Sequence, residues 1–117
     1  MVDLGSIKEL KAERKQDLQN SLNNLLDQLK KAGVLKVILF GSLNEDKIDI
    51  YSDIDLLLIM PNSKRTKEWI NFIYSNIERK IASDLIIFNE NDFNEMLPTS
   101  RFLKYIIKTG NVLYEKT

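Results

Sequence analysis

The stretch Ile54-Asp-Leu-Leu-Leu-Ile-Met60 constrains the fold of this chain more than any other. From Leu56 to Met60 every residue is apolar, nothing alternates, and Pro61 closes the run. A strand with one wet face alternates apolar and polar positions, whereas a strand buried on both faces reads as a continuous apolar run. The segment therefore predicts a strand in the middle of a sheet, with helices on both sides of it.

The flanking sequence supplies those helices. Residues Leu4 to Lys31 are strong helix formers, and Leu18, Leu22, Leu25, Leu26 and Leu29 recur along one stripe. Lys30 and Lys31 oppose the negative dipole end, and Gly33 stands where a left-handed stop belongs. Val34 to Phe40 changes to β-branched and aromatic residues and predicts a strand, with a short helical turn expected after Gly41-Ser42. Beyond Pro61, Asn62 or Ser63 is expected to cap a helix carrying Trp69, Phe72, Ile73, Ile77 and Ile81 at helical spacing. Asp84 to Phe88 predicts a strand, Asp92 to Met96 a short helical turn, Ser100 to Lys108 a helix stopped by Gly110, and Asn111 to Tyr114 a last strand.

This alternation implies an α/β (α+β) fold: a single small mixed β-sheet of about four strands flanked by helices. No repeat or Ser/Gly/Pro-rich linker interrupts the 117 residues, so residues 1–117 are expected to form one domain. Trp69 and Phe72 lie on the apolar stripe of their helix and are expected in the core rather than against a ligand. The leucine stripe of the first helix is expected to pack mostly on the sheet. Its length leaves room for a second copy of the chain or a partner, so a homo-oligomer stays open.

Composition narrows the chemistry. The chain has no His and no Cys, which removes imidazole bases, thiol nucleophiles, disulfides and Cys/His zinc sites. Seventeen basic residues balance seventeen acidic ones, so no net field draws it to nucleic acid or an anionic membrane, and nucleic acid is disfavoured as a partner. No apolar run approaches the roughly 18 residues of a membrane-spanning helix, and a cytoplasmic location is expected. Chemistry must therefore run on carboxylates, hydroxyls, Lys, Arg and backbone amides.

The carboxylates are unevenly placed. Between Leu43 and Met60 stand Glu45, Asp46, Asp49, Asp53 and Asp55 against Lys47 alone, a local net charge of −4. Glu45, Asp46 and Asp49 read as a solvated loop, and Lys64, Arg65 and Lys67 as a solvated face. Asp53 and Asp55 differ because they open the apolar strand at i and i+2, on one face and about 7 Å apart. Like charges held that close need compensation, and Mg²⁺, which prefers carboxylate and water oxygens and often bridges them to phosphate, would supply it. Asp84 opens the next apolar strand in the same way and offers a third carboxylate if the two strands are neighbours. Gly41 and Ser42, at the end of a strand, offer backbone N–H groups, close approach and a hydroxyl for phosphate.

The whole pattern, Val37-Ile-Leu-Phe-Gly41-Ser42, ten residues, then Asp53-Ile-Asp55-Leu-Leu-Leu, resembles the signature of the DNA polymerase β-like nucleotidyltransferase superfamily, and the size resembles its minimal nucleotidyltransferase branch. The resemblance covers nearly the whole chain, including the ending Ile107-Lys-Thr-Gly-Asn-Val-Leu-Tyr-Glu. It implies that Asp53 and Asp55 bind catalytic metal, that Asp84 in Ser-Asp-Leu-Ile-Ile completes the triad on the acceptor side and acts as a base, and that Gly41 and Ser42 hold the triphosphate. It further implies Mg²⁺-dependent transfer of a nucleotidyl group, AMP from ATP, to a hydroxyl of a partner protein. Members of this branch are often encoded beside a HEPN-domain toxin and act as its antitoxin, which makes a HEPN-type toxin the expected partner.

The segment after Gly41-Ser42 departs from the family pattern. It reads Leu43-Asn-Glu-Asp-Lys47, where many active relatives carry Ala-Arg-Gly, so a phosphate-binding cation is missing and Lys47 is its only substitute nearby. That departure keeps a second function open: a catalytically decayed module that neutralises its partner by occlusion. A metal-dependent nuclease is the weaker third reading, since no basic groove is evident for a nucleic-acid backbone.

Overall fold

A computed structural model describes residues 4–41, 54–78 and 83–117. The apolar run forms a strand over Ile54–Met60, β2, in a sheet whose other strands are β1 (Lys36–Phe40), β3 (Ser83–Asn89) and β4 (Asn111–Glu115). The strand order is β3-β2-β1-β4, which places β2 and β1 in the centre. β2 runs parallel to β3 and antiparallel to β1, and β1 is antiparallel to β4, so the sheet is mixed.

The pleat of β2 explains its unbroken hydrophobicity. Ile54, Leu56, Leu58 and Met60 point to one face, where they pack with Leu18, Leu22, Leu25 and Leu29 of helix α1 (Leu4–Ala32) and with Trp69 and Ile73 of helix α2 (Thr66–Asn76). Leu57 and Ile59 point to the other face, against Phe93 of α3 (Glu90–Met96) and Leu103 and Ile106 of α4 (Arg101–Thr109). From Leu56 to Leu58 all three side chains are fully buried. The edge strand β3 is as apolar in sequence, yet its burial alternates: Leu85 and Ile87 are buried beneath α1 and α2, whereas Ile86 and Phe88 are only half covered.

The ends of the elements follow local chemistry. Gly33 has φ +98°, its N–H bonds the Lys30 carbonyl at 3.1 Å, and the Val34 N–H bonds the Leu29 carbonyl at 3.1 Å. This pair of bonds terminates α1 where the sequence places the stop, and buries Val34 beside Leu29. Strand β1 consequently begins at Lys36, two residues later than its apolar pattern predicts.

The expected cap of α2 at Asn62 or Ser63 is corrected by the structure: the cap residue is Arg65, and Asn62 Oδ1 instead accepts the Asn91 N–H at 2.8 Å, at the start of α3. Arg65 Nε donates to Glu68 Oε1 at 2.9 Å, and its backbone N–H approaches the same oxygen at 3.4 Å. These bonds hold the Glu68 carboxyl below its ordinary value, so they favour the folded chain at neutral pH and lose effect as pH falls through that lowered value. Ser100, expected as the first residue of the helix, caps α4 instead, its hydroxyl accepting the Leu103 N–H at 3.1 Å. A 3₁₀ turn, Leu97–Thr99, intervenes before it and has no counterpart in the sequence pattern. The helical turn expected after Gly41-Ser42 lies outside the described residues, as does Ile81. Among the described residues no helix is long and apolar enough to cross a membrane.

Burial of both faces of β2 makes a direct prediction. Leu57→Ala and Leu58→Ala point to opposite faces, and each should destabilise the fold by about 2–5 kcal/mol. Urea unfolding of both variants measures this; a small loss in one of them would mean that its face of the sheet is not a packed core.

Candidate active site

One end of the sheet gathers the residues that the sequence marks as chemical. β1 ends at Phe40, β2 begins at Ile54 and β3 begins at Ser83, so the antiparallel β1 delivers Gly41 to the edge from which β2 and β3 depart. The register is specific: Phe40 pairs with Asp55, and Asp55 pairs with Asp84. Residues paired across a ladder share a face, so Phe40, Asp55 and Asp84 form one row across three strands, with neighbouring strands about 4.8 Å apart. That row lies on the α3 and α4 side, because Asp55 and Asp84 alternate in step with Leu57 and Ile86 of that core.

The two carboxylates differ in setting. Asp55 is on a central strand and half buried; Asp84 is on the edge strand and exposed. The condition that sequence leaves open, adjacency of the strands bearing them, is met: the ladder makes the two acids partners in register. Asp53, two residues before Asp55, and Ser42, directly after Gly41, lie outside the described residues, as do Glu45, Asp46, Lys47 and Asp49. Among the described residues, no group of three or more acidic side chains converges as a metal site.

Gly41 is fitted to Asp55. Its φ is +79°, a conformation that costs a residue with a side chain about 1–2 kcal/mol. A Cβ built on it would overlap Asp55 Oδ2 and would lie 3.0 Å from Asp55 Cγ. The Asp55 carboxylate thus rests directly over the glycine backbone, so strand end and acid are interdependent. Hard oxygen donors on neighbouring strands, one face and one end of the sheet suit a divalent cation such as Mg²⁺, which binds through one or two carboxylates and leaves positions for water and phosphate. Two like charges in register also repel, and a cation between them removes that repulsion.

The other charged and aromatic candidates sit elsewhere. Lys64 lies 5.4 Å from the centre of the Trp69 ring and 5.9 Å from that of Phe72, and Arg65 is paired with Glu68, all at the far end of β2. Trp69 is buried and donates its Nε1–H to the Pro61 carbonyl at 2.7 Å; Phe72 is half buried against the same core. Among the described residues, surface hollows of about 280, 270 and 260 Å³ are lined by residues of the α2–α3 junction, the β1–α3–β4 corner and the α1–α2 groove. None of them includes Gly41, Asp55 or Asp84.

Sequence reading missed the aromatic neighbour of the row. Phe102 of α4 stands edge-on to Phe40, with ring centres 6.0 Å apart and planes at 86°. The signal was present, since Phe102 falls off the stripe formed by Leu103 and Ile106, but only tertiary packing brings it to Phe40.

Comparison with known proteins bears on the family and the fold. A family model described as polymerase beta, nucleotidyltransferase, matches residues 20–117. Among solved structures the fold is similar to a Sulfolobus solfataricus protein described as a "putative nucleotidyltransferase", with a TM-score of 0.64 and 14% sequence identity over 92% of this chain and 88% of that one. No curated protein sequence matches it significantly. The fold is that of a nucleotidyltransferase. The chain belongs to the polymerase β nucleotidyltransferase family.

The contact between Gly41 and Asp55 is testable without any substrate. Gly41→Ala should cost about 1–2 kcal/mol of stability from backbone strain alone and should weaken Mn²⁺ binding, read by electron paramagnetic resonance, by about tenfold or more. Unchanged Mn²⁺ affinity in the folded variant would mean that Asp55 does not need its seat on the glycine.

Proposed function

We propose that this chain is a Mg²⁺-dependent nucleotidyltransferase that moves AMP from ATP to a hydroxyl of a partner protein. The observation that carries the reading is the row in which Asp55 and Asp84 stand side by side, with Gly41 beneath Asp55, in a chain of this family. Asp53, Asp55 and Asp84 would hold the cation, and Gly41 and Ser42 the triphosphate. When bound, the cation neutralises phosphate charge and lowers the pKa of the acceptor hydroxyl.

The chain's own groups divide the remaining work. Asp84, on the exposed edge strand, faces the side from which an acceptor arrives and takes the proton of its hydroxyl. The acceptor oxygen then bonds to the α-phosphorus, the bond from that phosphorus to the bridging oxygen breaks, and pyrophosphate leaves with the electron pair. Asp55, half buried and seated on Gly41, is the better fixed of the two acids and defines where the reacting phosphate sits. Gly41, lacking a Cβ, admits the Asp55 carboxylate against the strand end, and backbone N–H groups there would bind phosphate oxygens.

The expected partner is a HEPN-type toxin whose hydroxyl accepts the nucleotide, which would make this chain the antitoxin of a toxin–antitoxin pair. We further propose that residues 1–117 act as one minimal nucleotidyltransferase domain, with the partner completing the acceptor side. A second reading rests on Leu43-Asn-Glu-Asp-Lys47, which lacks the Arg and Gly of active relatives: a decayed site that protects by occlusion alone.

Transfer of label from α-³²P-ATP to the neighbouring gene product, with Mg²⁺, separates the two. Catalysis predicts label on the partner and a loss of about a hundredfold or more in Asp55→Asn and in Asp84→Asn. Absence of label with the wild-type protein, together with intact protection by the Asp55→Asn/Asp84→Asn double variant, would replace catalysis with occlusion.

A further inference from the structure

The proposed site lacks an assigned partner for the nucleotide's base, and the fold offers one. Phe40 is paired with Asp55 and is followed directly by Gly41, so it adjoins both the carboxylate row and the phosphate seat. Phe102 meets Phe40 edge-on at 6.0 Å and is still 53% exposed. An exposed phenylalanine costs solubility, and its neighbours Leu103 and Ile106 show that α4 fills its share of the core without it. The T-shaped contact fixes the ring while leaving much of its surface open, which is the condition for stacking.

The spacing is suitable. Adding one cross-strand step to one ring contact puts the Phe102 ring on the order of 10 Å from the Asp55 carboxylate. A nucleoside triphosphate whose α-phosphate lies at the carboxylates extends its ribose and base over a comparable reach.

We propose that Phe102, held in place by Phe40, stacks on the base of the nucleoside triphosphate. This rests on the nucleotidyltransferase reading and deepens it. A stacking ring recognises the π-face of any base, so it contributes affinity and tolerates several donors, with purines favoured by their larger overlap. Recognition of this kind needs no hydrogen bond to the base edge.

The test compares ATP with ribose 5-triphosphate, which carries the same phosphates and no base, both with Mg²⁺. Wild-type protein should bind ATP about tenfold more tightly than the abasic probe. Phe102→Leu, which keeps apolar bulk and contact with Phe40, should bind the two equally; Phe102→Tyr should keep the preference. Phe102→Trp adds a solvent-exposed fluorophore beside the single, buried Trp69, and its emission should be quenched by ATP and not by the abasic probe. A preference for ATP that survives in Phe102→Leu would overturn the stacking role while leaving the nucleotidyltransferase reading intact. Failure of the wild type to bind either probe would overturn both.

Discussion

Burial of β2 on both of its faces is the constraint from which the rest of the molecule follows. A strand with Leu56, Leu57 and Leu58 all fully buried has to be interior to the sheet and roofed twice, and the two roofs are different. The α1 and α2 side holds the larger core, and the α3 and α4 side the smaller. Apolar burial, worth roughly 25 cal/mol per Å², anchors this strand between the two cores. Asp55 stands where that strand emerges. Its neighbours along the strand, Ile54 and Leu56, are locked under α1 and α2, which leaves the acid projecting to the opposite face at a fixed height.

The sheet order then assigns the two acids unequal characters. β2 is central and β3 is an edge, so the same residue type at the same register is half buried in Asp55 and exposed in Asp84. A half-buried carboxylate resting on a glycine backbone has few rotamers open to it, whereas an exposed one at an edge can follow a ligand. The sheet order alone therefore gives the pair one more enclosed and one more accessible acid.

Much of this was legible in the sequence, and the reasons are physical. The unalternating run from Leu56 to Met60 identified the central strand, and Gly33 with Lys30 and Lys31 identified the end of α1, because burial on two faces and a left-handed stop each leave a local mark. The four-strand mixed sheet followed from the alternation of elements. Pairing did not: that Asp55 stands opposite Asp84 and Phe40 is a property of the ladder, set by packing of β1 and β3 on β2 rather than by any residue near the acids. The same limit explains Asn62, which looks like the cap of α2 in sequence but instead accepts the Asn91 N–H in the first turn of α3, whose cap is Asn89. Half-exposed Ile86 was hidden for a related reason, since an edge strand and a central strand can share a composition while differing in what covers them.

Polar groups at the two ends of β2 and β3 make different demands. At the far end Asn89 is buried, and its needs are met within the chain: its N–H donates to Thr66 Oγ1 at 2.9 Å, its side-chain amide to the Lys64 carbonyl at 3.1 Å, and its Oδ1 accepts from the Asp92 N–H at 2.8 Å. Thr66 in turn donates to Asp92. Such a closed network needs nothing from solvent or ligand, and it ties α2, β3 and α3 into one rigid corner. At the near end the same two strands present Asp55 and Asp84 side by side in one row. Strands anchored so firmly at one end hold Asp55 and Asp84 in register at the other.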